Sequence, residues 1–374
     1  MSDRIEPITM PKWGLAMEEG MVVAWLAEEG SPIAAGDEIV EIETTKITNV
    51  YEAPAAGTLR RRVAGEGETV PVGALLGLLA EPSVPDAELD VFIERFGADF
   101  AVKAAAAEAA PVEPETVTVG GLRLNYLRMG PEGGIPLVLI HGFGGGLDNW
   151  LFNQPALAEN HDVLALDLPG HGRSSKEVGG GDMAMLIGVF AGVLDAVGIE
   201  RAYLVGHSMG GALALLFAIK NPGRVTGLTL LAPAGLGPEV NMDFIDGFIA
   251  AGKRKEMRAV LELLVGDPAL IGRDMINDVL KYKRLDGVDR ALRRLAEGLF
   301  PGGRQKTIEP GDLARIPVPI SVIWGRNDRI QPVAHADSLP DGVEVHRLDG
   351  VGHMPHMEAA AEVNRLIEAA LGVA

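Results

Sequence analysis

The 374-residue sequence contains no cysteine. Disulfides and thiolate metal sites are therefore excluded, and any thiol chemistry must come from a cofactor. Positive charge is also scarce: 33 Lys and Arg stand against 52 Asp and Glu, a formal charge of −19. That balance disfavours nucleic acid and anionic membrane as partners, and a negatively charged ligand needs a local cluster of cations. Long apolar runs are missing, since nothing approaches the ~18 residues of a membrane span. Residues 212–219 are apolar but short, and read as a buried helix. The opening MSDRIEPITM lacks the basic-then-apolar pattern of a signal peptide, so the cytoplasm is the expected compartment. Glycine runs at 142–146 and 179–181 have no Lys-Ser/Thr behind them, which argues against a phosphate loop.

What is present begins with an internal repeat. Gly20, Val22, Gly30, Ile33, Gly36 and Ile39 recur 37 residues later as Gly57, Leu59, Gly67, Val70, Gly73 and Leu76. Each copy reads as alternating strands broken by glycines, and two stacked sheets predict a small β-sandwich over residues 1–80. Lys46, in Glu43-Thr44-Thr45-Lys46-Ile47, falls at the tip of the hairpin joining the copies. An exposed lysine on a rigid turn is a place to attach a swinging cofactor. Residues 81–115 differ in composition. The breaker-rich Glu81-Pro82-Ser83-Val84-Pro85-Asp86 and the Ala/Pro/Glu-rich stretch 104–115 predict an acidic, semi-extended linker. Between them, Leu89, Phe92, Ile93 and Phe96 have helical spacing and predict one short amphipathic helix, a docked spacer.

From residue 116 to 374 strand and helix patterns alternate. Buried-type strands at 137–140, 163–166, 202–205, 225–231, 320–324 and 343–348 predict a mostly parallel sheet covered on both faces. A helical insertion at about 235–310, rich in Met, Lys and Arg, is expected to cap a site. Within this segment, Gly206-His207-Ser208-Met209-Gly210 stands between an apolar strand and an apolar helix. Such a G-x-S-x-G turn lifts a serine oxygen into the open above a helix N-terminus. Asp328 and His353 follow in the order a serine nucleophile requires, Asp328 to fix the imidazole and His353 to take the Ser208 proton. His356 is the competing base; the Gly-x-Gly-His frame favours His353. The Met209 N–H and the Phe143 N–H, the latter from the loop after 137–140, are the expected oxyanion donors. His141, His171 and His207 are read as orienting loops.

Residues 116–374 resemble the α/β-hydrolase family, with Asp167-Leu168-Pro169-Gly170-His171-Gly172-Arg173-Ser174 as a further matching landmark. Residues 1–80 resemble the lipoyl domain of 2-oxo acid dehydrogenase complexes. The match lies at Met10-Pro11-Lys12-Trp13-Gly14, Ile42-Glu43-Thr44-Thr45-Lys46 and Ala53-Pro54-Ala55-Ala56-Gly57. The resemblance implies covalent lipoate on Lys46. Biotinyl domains share the fold, but their lysine usually sits between methionines, and here Thr45 and Ile47 flank it. A lipoyl domain fused to an α/β-hydrolase domain resembles the acyltransferase component of bacterial acetoin dehydrogenase systems. That implies coenzyme A as co-substrate, and an oligomeric assembly. It also implies two partners, a thiamine-diphosphate-dependent dehydrogenase component and a flavoprotein dihydrolipoyl dehydrogenase. The implied activity is acetyl transfer from Lys46-borne lipoate to coenzyme A through Ser208. A serine hydrolase carrying a lipoyl domain, acting on esters, thioesters or carbon–carbon bonds, is the alternative, and a carrier scaffold with an inactive hydrolase fold is a third. The His-x-x-x-Asp-Gly signature of ordinary acyltransferase components is absent; His346-Arg347-Leu348-Asp349-Gly350 is one residue short. Lys253, Arg254, Lys255 and Arg258 in the insertion are candidate contacts for coenzyme A phosphates.

Overall fold

A computed structural model describes residues 5–11, 17–44, 48–108, 113–131, 133–134 and 136–372. The first eight strands are β1 (Ile5–Thr9), β2 (Glu19–Trp25), β3 (Pro32–Ile33), β4 (Glu38–Glu43), β5 (Thr48–Glu52), β6 (Gly57–Arg62), β7 (Thr69–Pro71) and β8 (Leu75–Ala80). They form two four-stranded sheets, β1-β8-β6-β3 and β5-β4-β2-β7. The repeat maps β2 onto β6, β3 onto β7 and β4 onto β8. The sheets are not one per copy, however, because β3 pairs with β6 and β7 pairs with β2. Interleaving lets each copy complete the other's sheet. Val22, Ile39, Leu59 and Leu76, equivalent in pairs across the repeat, are all fully buried with Ile8 and Ile42. Each such side chain contributes about 1.5–3 kcal/mol by leaving water. Gly30 and Gly67, one repeat apart, have φ of 89° and 81°, a region that side chains avoid.

β4 and β5 pair antiparallel from Glu38↔Glu52 to Glu43↔Thr48. Lys46 lies outside the described residues, as do Lys12, Trp13 and Gly14 of the early motif. Beyond β8, the short helix and extended linker are replaced by one 23-residue helix, Asp86–Glu108. No proline interrupts the chain between Pro85 and Pro111, and alanine is the best helix former, so the helix propagates through the Ala-rich stretch. Leu89, Phe92, Ile93 and Phe96 pack on Ile5, Leu75, Leu78 and Ala80 of the sandwich. Arg60 staples the exit by donating to Glu81 O, Val84 O and Asp86 Oδ1. The chain accordingly divides into two compact units, Met1–Ala105 and Ala106–Ala374.

The second unit contains β9 (Glu115–Val119), β10 (Leu122–Met129), β11 (Leu137–Ile140), β12 (Val163–Leu166), β13 (Ala202–His207), β14 (Val225–Leu231), β15 (Ile320–Gly325) and β16 (Glu344–Leu348). They form one sheet in the order β16-β15-β14-β13-β11-β12-β10-β9. Pairings from β16 to β12 are parallel, while β10 runs antiparallel to both β12 and β9. Period-two alternation sends Val138, Ile140, Leu164 and Leu166 into one core. Leu137, Leu139, Val163 and Ala165 go into another on the opposite face. Helices Met183–Ala196 and Met209–Lys220 cover the first face, their Phe190 and Phe217 rings 5.0 Å apart edge to face. Helix Ala360–Leu371 covers the second through Val363, Leu366 and Ile367. Between β14 and β15 the chain builds a cap of four helices, Met242–Ala250, Arg254–Leu261, Arg273–Lys283 and Val288–Leu299. Among the described residues, no helix is long and apolar enough to cross a membrane.

Candidate active site

Ser208 occupies the turn from β13 into helix Met209–Lys220 with φ 52° and ψ −116°. Among the described residues only Ser208 and Ala232 are non-glycine positions with positive φ. A side chain held there costs on the order of 1–3 kcal/mol, so the surroundings must hold it. Ser208 N donates to Leu231 O at 2.9 Å, and Ser208 O accepts from Gly211, Ala212 and Ala234 N–H at 2.9, 3.2 and 3.0 Å. The flanking glycines are fixed by contact. A Cβ at Gly206 would stand 2.5 Å from Gly210 O, and one at Gly210 would overlap Ile140 O and lie 2.6 Å from His141 O.

Asp328 follows β15, and four donors converge on its carboxylate. Trp324 Nε1 and His353 Nδ1 donate to Oδ2 at 2.9 and 2.8 Å, while Ile330 and Gln331 N–H donate to Oδ1 at 2.7 and 3.0 Å. With Nδ1–H given to Asp328, the Nε2 of a neutral His353 is left with its lone pair. His353 is fixed through its backbone too: its N–H donates to Leu264 O of the cap, and its carbonyl accepts from His207 Nε2, both at 2.8 Å. Glu358 braces the same loop, accepting from Gly352 and Met354 N–H and, across to the cap, from Gly266 N–H at 2.7 Å. Burial raises the Glu358 pKa, and these three N–H donors work against that rise. The His207 and His353 rings are 4.8 Å apart, which brings His353 beside the residue preceding Ser208. Ser208 Oγ itself makes no hydrogen bond among the described residues.

The loop after β11 lies against the serine: a Cβ on Gly142 would be 3.0 Å from Ser208 Cβ. Neither the Phe143 N–H nor the Met209 N–H donates to an acceptor among the described residues. Two histidines prop this loop. His141 Nδ1 donates to Gly142 O at 2.7 Å and its Nε2 accepts from Leu168 N–H; His171 Nδ1 donates to Pro169 O and its Nε2 accepts from Gly144 N–H at 3.1 Å. Burial lowers the pKa of His141, His171 and His207, which favours the neutral rings that the donor and acceptor roles of His141 and His171 require. Asp167 extends the support, its Oδ1 accepting from Leu147 N–H and its Oδ2 from Asn125 Nδ2 and Arg173 N–H.

His356, the competing base, is fully buried between the Trp150 and His207 rings, at 4.7 and 4.6 Å. Neither of its ring nitrogens has a partner, and burial with the nearby His353 pulls its pKa down to about 3. It does not reach Asp328. The cap cations are mostly engaged: Lys253 with Glu256, Arg258 with Glu262, and Arg254 with Asn277. Among the described residues no group of three or more His, Cys, Asp or Glu side chains is placed to hold a metal ion. Sequence reading missed Trp324 and Glu358. The only local signals were an indole four residues before Asp328 and a carboxylate five residues after His353 in an otherwise apolar run.

A family model described as "Alpha/beta hydrolase family" matches residues 137–366, and one described as "Biotin-requiring enzyme" matches residues 6–79. The dihydrolipoyllysine-residue acetyltransferase component of the acetoin cleaving system from Pseudomonas putida is 47% identical over 362 residues, 97% of each chain. The protein of the same name from Cupriavidus necator is 47% identical over 374 residues, 100% of this chain and 99% of its own. Among solved structures, 2-hydroxy-6-oxo-6-phenylhexa-2,4-dienoate hydrolase from Rhodococcus sp. strain RHA1 is similar with a TM-score of 0.64 and 26% identity. That likeness spans 71% of this chain and all of the other. A β-sandwich of the biotin/lipoyl type thus precedes an α/β-hydrolase fold, and the chain belongs to the family of dihydrolipoyllysine-residue acetyltransferase components of acetoin cleaving systems.

Proposed function

We propose that this chain takes an acetyl group carried on lipoate at Lys46 and delivers it to coenzyme A through an acetyl-Ser208 intermediate. An attachment lysine must stand clear of its own domain, and near the β4–β5 turn Glu43, Thr48 and Asn49 are exposed while Thr44 is half-buried. That geometry fits a lipoyl arm on Lys46. Lipoate supplies a dithiol on a swinging arm, on which an acyl group travels as a thioester.

The remaining chemistry falls to this chain's side chains. Ser208 Oγ attacks the carbonyl carbon of an acetyl thioester as its proton passes to His353 Nε2. Phe143 and Met209 N–H receive the oxyanion, and Asp328 stabilises the imidazolium. The carbon–sulfur bond then breaks, and the departing thiolate takes the proton from His353. Coenzyme A thiol next gives its proton to the same nitrogen, its sulfur takes the acetyl group, and Ser208 recovers the proton. Water must be kept out meanwhile, because acetyl-serine hydrolyses; Leu264 and Gly266 of the cap, fastened to the His353 loop, fit that task.

We further propose residues 1–80 as carrier, 81–115 as connection and 116–374 as catalyst, with a cap at about 235–310. The proposed partners are a thiamine-diphosphate-dependent acetoin dehydrogenase component and dihydrolipoyl dehydrogenase, in the cytoplasm. The observation carrying the reading is the pairing of His353 Nδ1 with Asp328 at 2.8 Å beside Ser208, in a chain with a lipoyl-type domain. Incubation of acetyl-dihydrolipoamide with the protein, with and without coenzyme A, tests it. Acetyl-coenzyme A as main product supports transfer. Free acetate at the same rate in both supports the second reading, a serine hydrolase, which the likeness to a solved hydrolase keeps in play.

A further inference from the structure

The cations singled out in the sequence for binding phosphates sit on the cap and are largely paired, whereas a different set is left free. An open cleft of about 400 Å³ lies between the hydrolase core and the cap, lined by Arg123, Arg173 and Lys176 from the core and by Leu285 and Asp286 from the cap. Arg123 comes from β10; Arg173 and Lys176 follow β12; Leu285 and Asp286 join helices Arg273–Lys283 and Val288–Leu299. The Arg123 and Arg173 side chains make no ion pair or hydrogen bond among the described residues. In the same unit Arg128, Arg224, Arg293, Arg347 and Arg365 each pair with a carboxylate. Lys176 Nζ is pinned by the carbonyls of His171, Gly172 and Ser174 with no carboxylate in direct contact, while Asp167 and Glu177 act on it from farther away. In a chain of net charge −19, three such cations in one cleft are a local reversal of sign. Leu285, 50% exposed, adds an apolar face on the cap side.

We propose that this cleft binds the phosphate-bearing end of the acyl acceptor, a nucleoside bisphosphate linked to a thiol arm, with the phosphates on Arg123 and Arg173 beside the Lys176 charge and the base against Leu285. The proposal rests on the transfer reading above. The loop that carries Arg173 and Lys176 is the one that supports the catalytic centre. Arg173 N–H donates to Asp167 at 2.8 Å, and the adjacent His171 accepts from Gly144 N–H with its ring 6.1 Å from that of Phe143. A long thiol arm anchored at the cleft therefore leads along the seam under the cap toward the Phe143 and Met209 amides. The Ser174 hydroxyl accepts from Asn125 N–H and donates to Asp167 O, whereas the Ser175 hydroxyl accepts from Arg123 N–H and keeps its own proton for a phosphate oxygen. Asp286 opposes such binding.

The test uses the full-length protein, with adenosine 3′,5′-bisphosphate as binding probe in calorimetry and coenzyme A as varied substrate in acetyl transfer. The Arg123→Ser/Arg173→Ser double variant is expected to raise both the Kd for the probe and the KM for coenzyme A about tenfold, with kcat little changed. Asp286→Asn, a conservative change at an exposed residue, is expected to shift both constants the other way, and Lys220→Ser, at an exposed helix end, to move neither. Salt is expected to weaken binding to the wild type and to flatten its difference from the double variant. Absence of probe binding by the wild type, or unmoved constants in both the double variant and Asp286→Asn, overturns the assignment. If acetyl-coenzyme A forms while those constants stay put, the cleft is wrong and transfer stands. If probe binding follows the cleft charges while only acetate is released, the site stands and transfer fails.

Discussion

Replacing Asp328 by Asn has a consequence that follows from the four donors around its carboxylate. Ile330 and Gln331 N–H are backbone donors that cannot turn away from the Oδ1 position, so the Asn oxygen is expected to stay there. The amide NH₂ then faces Trp324 Nε1 and His353 Nδ1. Trp324 cannot reverse its donor, but its Nε1 keeps a second, longer bond to Gln331 O at 3.3 Å, so its loss is expected to fall below the about 1–3 kcal/mol of a wholly unanswered buried donor. His353 can escape by moving its proton to Nε2, which removes the lone pair that Ser208 needs. The comparable loss in a serine–histidine–aspartate triad is on the order of 10⁴-fold, or about 5 kcal/mol of barrier at ~1.4 kcal/mol per tenfold. Stopped-flow acylation by p-nitrophenyl acetate reads the rate, and thermal melts read stability. Acylation within tenfold of wild type in a folded Asp328→Asn protein refutes the reasoning.

Other expectations follow from the same geometry. Gly210→Ala drives a methyl into Ile140 O and His141 O; overpacking of about 1–3 kcal/mol translates to a Tm drop of roughly 2–12 °C, and an unchanged melt contradicts it. His356→Leu removes two unpartnered ring nitrogens and is expected to keep acylation and wild-type stability at pH 7, whereas loss of acylation makes His356 the base. The sign of its pH effect is fixed: with its folded pKa at about 3, His356 takes a proton more readily unfolded. Its contribution is present in full above the unfolded value near 6.5 and is lost toward 3, at up to ~1.4 kcal/mol per pH unit. Melts from pH 7 to 5 are therefore expected to fall less steeply in His356→Leu than in wild type. Lys46→Arg is expected to abolish acetyl transfer in the reconstituted system while leaving acylation by p-nitrophenyl acetate intact; retained transfer removes the arm from the account.

The parts of the site readable from sequence are those set by short-range sterics. Gly206 is a glycine because the turn from β13 brings Gly210 too close for a Cβ, a constraint written within five residues, whereas Gly210 is held by Ile140 and His141 of the neighbouring strand and its loop. Val22, Ile39, Leu59 and Leu76 advertised the sandwich because each repeat copy must bury the same face. The pairing of β3 with β6 and β7 with β2 was not readable, since strand spacing within one copy does not say which sheet a strand joins. Trp324 and Glu358 act through contacts that exist only once β15, the cap and the His353 loop meet. The residues at 104–108 looked like linker by composition, yet alanine propensity and the docking of Phe92 and Phe96 carried the helix through them.

Whether the acetyl group passes through Ser208 is tested most directly by acid-quenching the protein seconds after mixing with acetyl-dihydrolipoamide and mapping its peptides by mass spectrometry. One acetyl increment is expected on the peptide containing Ser208, discharged to acetyl-coenzyme A when coenzyme A is added. Acetyl-coenzyme A formed at the wild-type rate by Ser208→Ala contradicts it.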